Sequence, residues 1–159
     1  MLYSPILSFL RIFPFFLWVF LCGLSQFINH FLLRNSFFFF FKIFFKGIVK
    51  IFGIKINLEG LPQIKNTLFV SNHISYLDII ILGSIVEGRF VAKSEIQSWP
   101  FINKLCLLGK TIFVNREDFV KVKGQLSKIT KSLSKGFSVI LFPEGTSSDG
   151  SRVLPFKTS

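Results

Sequence analysis

The sequence predicts an α/β fold: a mixed, mostly parallel sheet flanked by helices, preceded by N-terminal membrane-embedded helices. Three observations carry this. Beyond Gly53, short β-rich apolar runs alternate with polar, helix-like stretches, as strand–helix crossovers require. Before Gly53, 22 consecutive residues (12–33) carry no formal charge. Half of the 159 residues are hydrophobic, 23 of them Phe, and the net charge is +11. Mean hydropathy is +0.57. That profile excludes a disordered acidic chain, a collagen-like fibre and a disulfide scaffold. Ala92 is the only alanine, so a base-composition bias trading Ala and Leu for Phe, Ile and Lys would also contribute to the skew.

Residues 12–33, as a helix, would extend about 33 Å, near the hydrocarbon thickness of a bilayer. Gln26, Asn29 and His30 dilute the second half, so a full span and an insertion into one leaflet both fit. Pro14 would kink this helix or mark its first turn. A cleaved signal peptide fits poorly, because no small-residue cleavage site follows. Residues 36–52 place Lys42, Lys46 and Lys50 four apart. Each step of four turns about 40° around a helix, so the lysines share one narrow stripe with Phe and Ile filling the rest. This predicts a cationic helix lying in the membrane interface, against the alternative of a second span or a buried helix.

In the remainder, residues 54–58 (IKINL) alternate like a half-buried strand. Residues 67–70 (TLFV), 89–91 (RFV), 111–114 (TIFV) and 138–142 (SVILF) are apolar runs suited to buried parallel strands. Helices are expected over 76–86, around 96–108 and over 119–135. The last puts Val122, Leu126, Ile129 and Leu133 on one face, and Gly136 stops it. The domain division follows: 1–52 membrane-embedded or interfacial, 53–159 the α/β domain.

Charge is uneven. Residues 1–58 contain six basic residues and no acid, whereas residues 59–159 contain 13 basic and 8 acidic residues. An apolar, purely cationic N-terminal third predicts contact with anionic membrane lipid and not with nucleic acid. The basic flank places the following domain on the cytoplasmic side of an inner, cytoplasmic membrane.

In open α/β sheets the chemistry sits past the carboxyl ends of strands, and three groups of polar residues fall there. After TLFVS comes Asn72-His73-Ile74-Ser75-Tyr76-Leu77-Asp78. In one regular helix His73 and Asp78 would face about 140° apart. With His73 in the strand-to-helix turn, the carboxylate can fold back onto the imidazole and leave its far nitrogen as a base. The alternative is that Ser75 caps the helix with Asp78 as its partner and His73 stands by. After TIFV comes Asn115-Arg116, whose guanidinium can fork onto a phosphate or pair with Glu117 or Asp118. After SVIL comes Phe142-Pro143-Glu144-Gly145-Thr146, either a ligand loop or a plain turn. No G-x-S-x-G is present, and Cys22 and Cys106 sit in apolar stretches with no metal or disulfide spacing. A working His73 would therefore activate a hydroxyl brought by the substrate.

Taken in order, NHxxxxD, a strand ending in NR, and FPEGT resemble the glycerolipid acyltransferase family of the 1-acylglycerol-3-phosphate type, the lysophosphatidic acid acyltransferases. The resemblance runs from about Gly47 to the last residue. It includes NLEGLPQIKNTLFVSNHISYLD, FVAKSEI and LGKTIFVNR. It implies the glycerol-3-phosphate acyltransferase-like fold, with His73 as general base and Asp78 orienting it. The substrate phosphate would fall to Arg116, Glu144, Gly145 and Thr146, with Lys93 as a further candidate, and Phe156-Lys157 would match the family's FK pair. It also implies acyl transfer to the sn-2 hydroxyl of lysophosphatidic acid, giving phosphatidic acid. Acyl-CoA or acyl carrier protein would be co-substrate, with no other cofactor and no metal. The family's fourth motif lies beyond Ser159, so the resemblance implies a fragment or truncated chain whose sheet lacks its last strands. Two alternatives stand: another lyso-lipid acceptor such as lyso-ornithine lipid, or an inactive membrane-associated remnant.

Overall fold

The structure is a computed structural model that describes residues 4–32, 37–63, 65–115 and 119–157. Two compact units emerge, Met1–Leu61 with Ile79–Val86, and Pro62–Asp78 with Glu87–Ser159.

The first unit is built on α1 (Pro5–Leu32) and α2 (Phe37–Phe52). α1 begins well before the uncharged stretch and runs through Arg11 and Pro14. Residues Pro5–Asn29 are long and apolar enough to cross a membrane, with Phe9, Phe13, Phe16, Phe20 and Phe27 all exposed. The two helices meet through Trp18, whose indole N–H donates to the Phe44 carbonyl at 3.0 Å. Gly47 makes room: a Cβ there would run into the Trp18 indole ring. One turn away, Phe45 and Ile48 are buried, and the Phe45 ring lies against Gly83 of α3 (Leu77–Ile85). Lys46 and Lys50 are exposed, as the lysine stripe predicts.

The second unit holds a four-stranded sheet of β1 (Leu68–Val70), β2 (Gly88–Lys93), β3 (Ile112–Val114) and β4 (Ser138–Leu141). Its order is β1-β4-β2-β3, and all three pairings are parallel. β4 is central and the most apolar in its setting, with Val139 and Ile140 wholly buried. Val91, Ile112, Val114 and Val139 form the core, and Ile129 and Leu133 of α5 (Phe119–Ser134) pack onto it. Burying each such side chain contributes about 1.5–3 kcal/mol. Gly136 adopts φ +88° and ends α5: its N–H reaches the Leu133 carbonyl while that of Phe137 reaches Ser132.

Two expectations fail. Residues 54–58 alternate in exposure as foreseen but form no strand, since alternation reports side-chain facing and not a pairing partner. The helix around 96–108 is two pieces, a 3₁₀ turn (Ser94–Ser98) and α4 (Ile102–Leu108). Pro100 is the cause. It lacks an N–H and forces Trp99 to an extended conformation, φ −80° and ψ 120°.

Gly47→Ala gains about 1 kcal/mol of helix propensity but drives a methyl into a rigid ring anchored by its own hydrogen bond. Overpacking of that kind costs about 1–3 kcal/mol. Thermal unfolding in neutral detergent micelles is expected to show a lower Tm for the variant. An unchanged or higher Tm would refute the close Trp18–Gly47 contact.

Candidate active site

The parallel register of β1 and β4 assembles the site. Leu68, Phe69 and Val70 face Val139, Ile140 and Leu141, so both strands end at the same level. The turn after β1 carries His73 and the turn after β4 carries Glu144, bringing together residues 71 apart in sequence. β2 and β3 also end together, with Lys93 opposite Val114.

His73 Nδ1 lies 2.8 Å from Asp78 Oδ2. The same oxygen accepts the backbone N–H of Ile74 at 2.7 Å and of Ser75 at 2.9 Å. Ser75 Oγ in turn accepts the N–H of Leu77 at 3.1 Å. The two readings of this segment are thus one structure: Ser75 and Asp78 cap α3 reciprocally, and the capping carboxylate also holds the imidazole. An ionised carboxylate only accepts, so beside it Nδ1 carries the ring proton and the lone pair falls on Nε2. Burial by itself raises the Asp78 pKa. Hydrogen bonds from the Ser75 N–H, the His73 ring and the Ile74 N–H outweigh it, and the net shift is downward.

The rest of His73 is held as firmly. Its ring stacks on Phe142 with centroids 4.2 Å apart and planes 19° from parallel. Its backbone N–H donates to Glu144 Oε2 at 3.3 Å, and its carbonyl accepts the N–H of Ser148 at 2.8 Å. The His73 side chain keeps 17% of its surface exposed. Glu144 is 1% exposed, and its other oxygen accepts the N–H of Leu154 at 3.2 Å. The Lys157 N–H reaches the Pro143 carbonyl at 3.0 Å, so the chain after Gly150 closes over the same loop.

Among the remaining expected site residues, Gly145 is buried with φ +73°, a conformation that suits glycine. Thr146 and Lys93 are exposed at the carboxyl ends of β4 and β2. Arg116 lies outside the described residues. The sequence did not point to Phe142 as a platform for the imidazole or to Ser148 as a clamp on its carbonyl. A stacking aromatic at a strand end and a serine in an irregular loop carry no spacing signal.

The site is thus a histidine–carboxylate pair just past the carboxyl ends of parallel strands. The model of the Acyltransferase family matches residues 54–159, and the chain belongs to that family. It is 41% identical over 119 residues to the lyso-ornithine lipid O-acyltransferase of Brucella abortus, covering 74% of this chain and 45% of that protein. It is 31% identical over 107 residues to the 1-acyl-sn-glycerol-3-phosphate acyltransferase of Neisseria gonorrhoeae, covering 67% of this chain and 42% of that protein. The crystal structure of the 1-acyl-sn-glycerophosphate acyltransferase PlsC from Thermotoga maritima matches with TM-score 0.71 and 27% identity, over 94% of this chain and 66% of that one. The chain thus spans less than half the length of these curated relatives.

A carboxylate whose pKa is lower folded than unfolded stabilises the fold fully above its unfolded value, about 3.9 for Asp. That stability is lost as pH falls through the folded value. The stability gap between wild type and Asp78→Asn is therefore expected to be constant above about pH 5 and to shrink below about pH 4. Denaturant melts across that range check this, and a gap that widens on acidification would contradict it.

Proposed function

We propose that this chain carries O-acyl transfer to the free hydroxyl of a lyso-lipid, with His73 as general base and Asp78 as its orienting partner. The observation that carries the reading is the Asp78–His73 hydrogen bond, made in a chain of the Acyltransferase family. In the proposed step, His73 Nε2 takes the proton of the acceptor hydroxyl as its oxygen attacks the thioester carbonyl of acyl-CoA or acyl carrier protein. The C–O bond forms, the tetrahedral intermediate collapses, and the C–S bond breaks. The departing sulfur takes the proton back from Nε2, giving ester and free thiol with no acyl-enzyme. A positioned base contributes roughly 10²–10⁴-fold, and holding donor and acceptor together supplies much of the remainder.

The leading acceptor is lysophosphatidate, at its sn-2 hydroxyl. Lys93 and Thr146 are exposed at the carboxyl edge of the sheet, where a phosphate would approach, and Arg116 follows β3 toward that edge in sequence. Glu144 fits a positioning role better than a phosphate contact. It is buried, carries the wrong charge for a phosphate, and spends its two oxygens on the N–H groups of His73 and Leu154. A second acceptor, lyso-ornithine lipid, is favoured by the 41% identity to the Brucella protein, against 31% to the Neisseria one. Membrane association through residues 1–52, with the domain at 53–159 working at the cytoplasmic face, completes the proposal and rests on the apolar length of α1.

The chain is assayed in micelles with an acyl-CoA and each acceptor in turn. Transfer to lysophosphatidate is expected, with His73→Ala lowering kcat by about 10²–10⁴-fold. Equal rates for wild type and variant would remove His73 from the chemistry. Transfer to lyso-ornithine lipid alone would reassign the acceptor. Glu144→Leu strands two buried N–H groups at about 1–3 kcal/mol each. It is expected to lower both Tm and kcat, whereas a change in KM for lysophosphatidate alone would restore Glu144 to phosphate binding.

A further inference from the structure

The amino ends of β2 and β3, the edge of the sheet opposite His73, border an open pocket of about 370 Å³. Its walls include Arg89 at the start of β2, Thr111 ahead of β3, Lys128, Lys131 and Ser132 from the second half of α5, and Lys135 just past its end. No carboxylate lines it among the described residues. Two polar groups on its wall are spent on nothing: the Nε of Arg89 and the Oγ of Ser132 are buried and have no hydrogen-bond partner among the described residues. Ser132 is 2% exposed. The Arg89 guanidinium lies 3.9 Å over the Phe137 ring, which shields one face and leaves the fork of N–H groups for a ligand. Burial also pushes the Arg89 pKa down.

Buried donors are normally satisfied, and the exceptions call for a cause. Lysines on a solvated helix face need none, but here they ring a concavity whose wall holds an unpaired guanidinium N–H and an unpaired hydroxyl. An anion with several acceptor oxygens answers all of these groups together. A guanidinium fork with flanking ammonium groups matches a phosphate in charge and geometry. The volume exceeds that of bare phosphate, leaving room for an organic body. We propose that this pocket is a binding site for an organic phosphate, separate from the acyl-transfer site and independent of how His73 acts. The phosphate comes either from a soluble phosphomonoester or from the headgroup of a glycerophospholipid.

The test uses the full chain in neutral detergent micelles and isothermal titration with three probes at fixed ionic strength. These are inorganic phosphate, adenosine 5′-monophosphate, and dihexanoyl phosphatidylglycerol below its micelle concentration. At least one organic probe is expected to bind more tightly than inorganic phosphate. The double substitution Lys131→Gln/Lys135→Gln, at two exposed positions that the fold tolerates, is expected to weaken that binding about tenfold or more. Ser132→Ala is expected to weaken it severalfold, and His73→Ala to leave it unchanged. Binding of the nucleotide identifies a soluble ligand, and binding of the lipid alone identifies a headgroup. No binding of any probe at millimolar concentration, or an affinity that the lysine pair does not move, would overturn the proposal.

Discussion

One carboxylate oxygen carries the architecture of the site. Asp78 Oδ2 accepts the imidazole N–H of His73 and the backbone N–H groups of Ile74 and Ser75. The last two fix the turn between β1 and α3, and the first fixes the ring within that turn. A single group therefore couples the start of a helix to the orientation of an imidazole. Reciprocal capping is a common helix signal worth about 1 kcal/mol. Here the same geometry also holds an imidazole, so the residue that starts the helix is also the one that sets the tautomer.

That turn would be a local feature without the sheet. β1 and β4 are parallel and in register, so the two strands deliver their following loops to one place. Glu144 then clasps the His73 N–H, Phe142 supports the ring, and Ser148 takes the His73 carbonyl. Each contact crosses about seventy residues of chain. The imidazole is held at its ring nitrogen, its face and both sides of its backbone, while Nε2 has no hydrogen-bond partner among the described residues. Such a ring is held in a single orientation.

Much of this was legible in the residues. Apolar runs located all four strands of the sheet, as parallel strands are continuous in hydrophobicity, although Leu68 and Val70 of the edge strand β1 are exposed rather than buried. Gly136 marked the end of α5, because its positive φ excludes most side chains. The five-residue separation of His73 and Asp78 allowed their contact only if the turn preceded the helix, as it does. Other features were not legible. Strand order depends on which crossover passes over which strand, and no local pattern encodes it. The false strand at 54–58 had the right periodicity and lacked a partner. Glu144 stood out only as part of FPEGT and as an implied phosphate contact, whereas its contacts depend on burial and on two distant N–H groups. Phe142 read as one more buried aromatic in a chain of 23 phenylalanines.

The decisive quantity is which ring nitrogen of His73 bears the proton. The chain has two histidines, so replacing His30 with Gln leaves His73 alone for nitrogen-15 labelling. In the neutral ring, nitrogen NMR is predicted to show Nδ1 protonated and Nε2 bare, with Asp78→Asn abolishing the preference. A neutral ring protonated at Nε2 would turn its lone pair toward the Asp78 carboxylate and leave no base facing the substrate, and that result would contradict the account.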